Sequence, residues 1–233
     1  MLLAAGRGTR FGGPVPKAWL SLAGTPLVVH SARRLLAATD ACASRHLVVA
    51  VHPADRSTHL ATCQPALAAA CGGTCRLTVV DGGDSRQESM ERCLAATDAD
   101  TSLVLVHDAA RALLPVAATR ACLAAADRVG AALLAVPVPD TLKRAHAGLV
   151  AATVDRTDLW LAQTPQVVRR DLLVRALAHA RANGFTGTDD VSLVERLGAE
   201  VAIVPGSPTN LKITHPDDLP LATALLAADS GSP

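Results

Sequence analysis

The sequence has no tyrosine, and only two phenylalanines and two tryptophans among 233 residues. Set beside its abundant alanine and arginine, this scarcity reads as compositional bias, and no function is assigned to it. An apolar run of 18 residues is also missing. The longest notable stretch, "VGAALLAVPV", is too short to span a bilayer and is interrupted by Pro137. The start lacks the charged head, apolar stretch and small-residue cleavage site of a secretory signal, so a cytoplasmic location is expected. A net charge of only +1 lacks the basic excess of proteins that coat nucleic acid or anionic membrane, and neither partner is expected. The six cysteines lack a metal-site pattern. Cys71 and Cys75 enclose "GGT", but no second cysteine or histidine pair stands at ligand spacing, so reduced thiols are expected. One further absence is local: no acidic residue precedes Asp40.

What is present alternates short apolar runs with longer helical stretches. "MLLAA", "HLVVAV", "RLTVVD", "SLVLVHD" and "AALLAVPV" are apolar without strict alternation, as strands covered on both faces should be. "TPLVVHSARRLLAAT" predicts a helix with Thr25 as N-cap and Pro26 in its first turn, and "RQESMERCLAA" and "VAATRACLAAADR" are helical in character. Strand–helix–strand repetition predicts an α/β fold with a Rossmann-like, mostly parallel sheet flanked by helices, in a single domain over 1–233. After Pro137 the rhythm changes to short β-like pieces and polar turns, which predicts a β-arm inserted at about 138–166. Helices resume at "RRDLLVRALAHARANG" and "TDDVSLVERLG". Strands "EVAIVPG" and "NLKIT" and a last helix near "HPDD" follow.

The loops after the strands carry the chemistry, because ligands gather at strand carboxyl ends in such sheets. "AAGRGTRFGGPVPK" fails as a dinucleotide fingerprint: Phe11 stands at the third glycine position and no acid follows about twenty residues on. It also fails as a P-loop, lacking Gly-Lys-Ser/Thr. Its glycines nevertheless let amides approach an anion, and Arg7, Arg10 and Lys17 add three positive charges within eleven residues. A solvated basic loop is the other reading. "VVDGGDSRQES" is a second glycine-paired junction, either an ordinary capped turn or a place where Asp84 or Ser89 meets a base or ribose. "LVHDAAR" puts Asp108 at a strand end, as a helix cap or as a holder of a metal ion or sugar hydroxyl. Arg111, three residues on, suits a phosphate oxygen. Arg156 and Lys212 are isolated cations, and none of the histidines shows ligand spacing.

Taken in order, "LAAGRGTRFGGPVPKAWLSLAG", "VVDGGDSRQES", "VHDAAR", "VPVPDTLK", "VDRTDLWLAQTPQ", "TDDVSLVE" and "NLKIT" resemble the signature blocks of the 2-C-methyl-D-erythritol 4-phosphate cytidylyltransferases, from residue 2 to about 220. Departures are Phe11 where methionine is usual, "PKAW" where Pro-Lys-Gln-Tyr or Pro-Lys-Gln-Phe is common, and Ala112 where proline is usual. Only Met1, Leu2 and Leu3 precede the Ala-Ala-Gly, so a short first strand or an upstream start is expected.

The resemblance implies attack by the phosphate of a polyol phosphate on the α-phosphorus of CTP. Arg10, Lys17, Arg156 and Lys212 would be the catalytic cations. Ala4, Ala5, Gly6 and Gly8 would hold the triphosphate, and Gly83, Asp84 and Ser89 the cytosine and ribose. Asp108, Ala109, Arg111, Thr141 and Thr164 would join Arg156 and Lys212 on the polyol phosphate. A Mg²⁺, or another divalent cation, would be held mainly by nucleotide and water, with Asp108 near it. The β-arm would cross to a second copy in a homodimer, since an unpacked two-stranded arm is marginally stable alone. A ribitol-5-phosphate cytidylyltransferase is the nearest alternative, and a non-catalytic nucleotide-binding protein of the same fold is the other.

Overall fold

The computed structural model describes residues 1–8 and 11–230. In chain order the first half holds β1 (Leu2–Leu3), β2 (Ser21–Leu22), β3 (Thr25–Pro26), α1 (Leu27–Ala38), β4 (His46–Val51), α2 (Ala61–Cys71), β5 (Arg76–Asp81), α3 (Arg86–Ala95) and β6 (Leu103–Asp108). Then come α4 (Val116–Val129), β7 (Ala131–Pro137), β8 (Leu142–His146), β9 (Leu149–Val154), β10 (Trp160–Arg169), α5 (Arg170–Ala182), α6 (Asp190–Arg196), β11 (Ala202–Pro205) and α7 (Asp218–Ser230).

The central sheet runs β11-β7-β10-β6-β1-β4-β5. β10 is antiparallel to both its neighbours, and the other pairs are parallel. Side-chain alternation explains how both faces are covered. On β4, Val48 and Ala50 join Met90, Leu173 and Val194 under α3, α5 and α6. Leu47, Val49 and Val51 join Val28, Leu35 and Leu67 under α1 and α2 on the opposite face. The same switch recurs on β7: Leu133 packs with the first group, whereas Ala132 and Leu134 pack under α4.

The inserted segment divides in two. β8 and β9 form a separate antiparallel hairpin, pairing Leu142 with Val154. Within the expected 138–166, residues from Trp160 onward return to the central sheet between β6 and β7.

Several local expectations are corrected. Thr25 and Pro26 pair back on β2, so α1 begins only at Leu27, with Pro26 at the cap. "NLKIT" is not a strand; the Ile213 backbone N–H donates a hydrogen bond to the Ala110 carbonyl (2.9 Å). The helix α2 had no counterpart among the expected elements. Phe11 and Ala112, two of the departures from the family pattern, fall in one apolar cluster with Leu22, Leu27 and Ile213. All six cysteines are free thiols, and burial pushes Cys71, beside Cys75, up to about 11. Among the described residues no helix is long and apolar enough to cross a membrane, and no cluster of three His, Cys, Asp or Glu could hold a metal ion.

Candidate active site

The adjacent strands β5, β4, β1 and β6 end on one edge of the sheet, and the loops that follow them enclose a cleft of about 440 Å³. Ala4, Ala5 and Gly6 line it from the end of β1, beside Arg7. Gly83, Asp84 and Ser89 line it from the β5–α3 junction, and Asp108 and Ala109 from the end of β6. Lys17 and Lys212, 195 residues apart in sequence, close it from opposite ends of the chain.

Close packing dictates the glycines. A Cβ on Gly82 would sit 2.1 Å from that of Ala5, so only glycine lets the β1 and β5 loops meet. Gly8 is left-handed (φ +64°), and a Cβ there would press on Lys17 at 3.0 Å. The β5–α3 loop is stiffened from within. Ser85 caps α3 by accepting from the Glu88 amide (3.0 Å), and Glu88 accepts from the Asp84 amide (2.8 Å). Ser89 donates to the Ser85 carbonyl and accepts from the Gly83 amide, so its hydroxyl first holds the loop shape.

Asp108 is no helix cap; it is the centre of an ion-pair relay. One oxygen accepts from Arg86 Nε at 3.1 Å and the other from Lys212 Nζ at 2.6 Å. Burial pushes its carboxyl up, but Arg86 and Lys212 more than reverse this and hold it well below the usual carboxylate range. Arg86 also grips the buried Asp190 with two bonds of 2.8 Å. Burial works against the guanidinium, yet Asp190 and then Asp108 hold it above its ordinary value. Asp190 itself is raised by burial, which Arg86 offsets in part; both its oxygens accept from the Arg86 guanidinium. Sequence reasoning passed over Arg86 and Asp190. Both stand in quoted blocks, but 104 residues separate them, and no local signal pairs them.

Two expected contacts lie behind the cleft rather than on its wall. Thr164 is buried, hydrogen-bonded to His107 Nδ1 (2.9 Å) and accepting from the Asp108 amide (3.2 Å). Arg111 donates to the Asn210 carbonyl (2.6 Å), which anchors the segment carrying Lys212, and burial lowers its guanidinium from the ordinary value. His107, between Thr164 and the Arg111 carbonyl, is driven down to about 4, chiefly by burial.

Two others are on the arm. Thr141 is exposed just before β8, and Arg156, just after β9, donates to the Pro139 carbonyl. Neither lines the cleft of its own chain. Gly8 contacts Lys17 without lining the cleft, and Arg10 lies outside the described residues. Each oxygen of Asp108 is paired with a cation, Arg86 on one side and Lys212 on the other.

The family model for 2-C-methyl-D-erythritol 4-phosphate cytidylyltransferase matches residues 1–228. The chain is 46% identical over 229 residues to the enzyme of that name from Chromobacterium violaceum, covering 97% of this chain and 96% of that protein. It is 42% identical over 236 residues to the one from Acidobacterium capsulatum, covering 97% and 95%. The crystal structure of the Thermus thermophilus enzyme superposes with a TM-score of 0.75 at 36% identity, covering 97% of each chain. Cleft, sequence and fold agree, and the chain belongs to the 2-C-methyl-D-erythritol 4-phosphate cytidylyltransferase family.

Proposed function

We propose that this protein transfers a cytidylyl group from CTP to 2-C-methyl-D-erythritol 4-phosphate, giving 4-CDP-2-C-methyl-D-erythritol and pyrophosphate, in the non-mevalonate route to isoprenoid precursors. The observation that carries the reading is the meeting of Lys17 and Lys212 across a cleft lined by the Ala4–Gly6 and Gly83–Asp84 backbones. Both reactants are anions. Fixed cations first overcome their repulsion, then stabilise the charge that gathers on the α-phosphoryl group in the transition state.

Lys17 and Arg10 serve that charge, and the amides around Gly6 face the triphosphate. Asp84 and the Gly83 backbone receive the cytosine and ribose, on a loop whose shape Ser89 fixes. Lys212 directs the attacking phosphate, and Asp108 holds Lys212 in place while offering its carboxylate edge to a sugar hydroxyl. No general base is required, because the attacking phosphate is already ionised.

The residues fit a Mg²⁺ carried by the triphosphate better than one caged by protein: Asp84 and Asp108 are the only carboxylates on the described cleft wall, and Asp108 is doubly paired. When bound, the ion would neutralise phosphate charge, and Asp84 and Asp108 are the carboxylates available to hold it directly or through water. We further propose that the protein acts in the cytoplasm as a homodimer, its β8–β9 arm bringing Arg156 and Thr141 to the partner's cleft. Leu149 and Val150 on that arm are 75% and 66% exposed, an apolar tip that a partner would cover.

The test is pyrophosphate release from CTP with methylerythritol phosphate or ribitol 5-phosphate, with and without Mg²⁺. Release with methylerythritol phosphate supports the reading. Release with ribitol phosphate alone would replace it, and release with neither would point to a non-catalytic nucleotide-binding protein.

A further inference from the structure

Asp55 is a buried carboxylate, 4% exposed, that the proposed mechanism leaves unused. It ends the tight turn Pro53–Asp55 just after β4, next to His52 on the cleft wall. One of its oxygens accepts from Arg7 at 3.3 Å, and the other accepts from the Trp19 indole nitrogen at 3.1 Å. Arg7 and Trp19 flank Lys17 in sequence, and Lys17 and Trp19 share the short helical turn Lys17–Trp19. Trp19 is itself buried and stacks on His59, with ring centres 5.9 Å apart and planes 19° from parallel. A single side chain thus fastens both flanks of the cationic, glycine-rich stretch to the end of the neighbouring strand.

From this geometry we infer that Asp55 is a positioning residue for the reaction: it clasps Arg7 and Trp19 so that Lys17 is held at its place in the cleft. Glycine-rich backbone has much conformational freedom to lose, and a cation serves a transition state only when its position is set in advance. A buried charge-assisted acceptor shared by two donors supplies that constraint from outside the stretch. The clasp also gives a role to Trp19, where the family pattern commonly has tyrosine or phenylalanine. Neither of those reproduces the indole N–H donor, and phenylalanine has no donor at all.

The inference rests on the proposed function for the role of Lys17, so its test reads through Lys17 and has a second readout that needs no turnover. Asp55→Asn keeps the volume and one acceptor oxygen but removes the charge and turns an NH2 donor towards Arg7 or Trp19; Trp19→Phe keeps an aromatic ring but removes the donor. Each is made alone and combined with Lys17→Ala, and kcat and KM are measured in the full-length protein. By the size of single positioning effects, Asp55→Asn is expected to lower kcat about 10-fold with smaller changes in KM. In the Lys17→Ala background the same change should add less than about 2-fold, because groups that act through one residue are not additive.

In parallel, calorimetric binding of inorganic tripolyphosphate runs the same cycle: Asp55→Asn should weaken binding in the parent and not in Lys17→Ala. A lesion of general stability would reduce activity and binding by equal factors in both backgrounds, and that outcome overturns the clasp. So does an Asp55→Asn protein with the parent's kcat and tripolyphosphate affinity. If the parent binds tripolyphosphate but transfers no cytidylyl group, the functional reading fails and the binding cycle alone decides the clasp.

Discussion

The cleft and the arm are built in opposite ways. Around the cleft four side chains are tied to the fold: Asp108 between two cations, Asp190 gripped by Arg86, Asp55 between Arg7 and Trp19, Ser89 spanning its own loop. The arm is a hairpin with all but its edge residues exposed, carrying Arg156 and Thr141 away from the cleft of their own chain. Preorganisation costs conformational entropy, and a packed core offsets that cost only where side chains are buried. The proposed sharing of the site between core and arm therefore requires a second copy that orders the hairpin.

That contrast can be broken in order of expected effect. Leu134→Ala, fully buried under α4, should cost about 2–5 kcal/mol in urea unfolding at matched protein concentration. A smaller loss would show that the sheet relaxes around the void.

Next is acid stability. Burial holds His107 neutral down to about 4 against an ordinary 6.5, so between these values the unfolded chain binds a proton that the folded chain refuses. This contribution is fully present above pH 6.5 and is lost as pH falls towards 4, on the order of 3 kcal/mol. Melting temperature against pH should fall less steeply in His107→Gln than in the parent, and parallel curves would contradict the assignment.

Lys17→Ala should lower kcat about 10²-fold with its melting temperature kept, in line with loss of one transition-state donor. Near-parental turnover would remove Lys17 from the catalytic set.

The smallest effect belongs to the arm tip. Leu149→Ala should change unfolding by no more than about 0.5 kcal/mol while weakening self-association in sedimentation. Unchanged association would detach the tip from any interface.

Much of this was legible in sequence because it is periodic or punctuated. Apolar runs marked the strands, glycine pairs marked the close-packed loops, and a break in rhythm marked the arm. What escaped did so for identifiable reasons. α2 carries Pro65 inside it and is apolar nearly all round, so it shows neither a helix-like stripe nor clean boundaries. Thr25-Pro26 has the look of a helix start, but pairing with Ser21-Leu22 claims it first. Lys212 sits on an irregular segment fixed by isolated hydrogen bonds, where no ladder pattern exists to read. Arg86, Asp190 and Asp55 are ordinary surface types by composition, and only the folded chain shows Asp190 and Asp55 buried and Arg86 half-buried against its partners.

The most direct question is whether the arm completes a neighbour's cleft. Lys17→Ala and Arg156→Ala proteins, each inactive alone, can be unfolded together, refolded as a mixture and assayed for pyrophosphate release from CTP and methylerythritol phosphate. If Arg156 serves the partner's cleft, half the molecules are mixed dimers with one intact site in two, and about a quarter of parental activity returns. If the mixture stays as inactive as its two components, arm and cleft act within one chain, and the proposed division of labour is wrong.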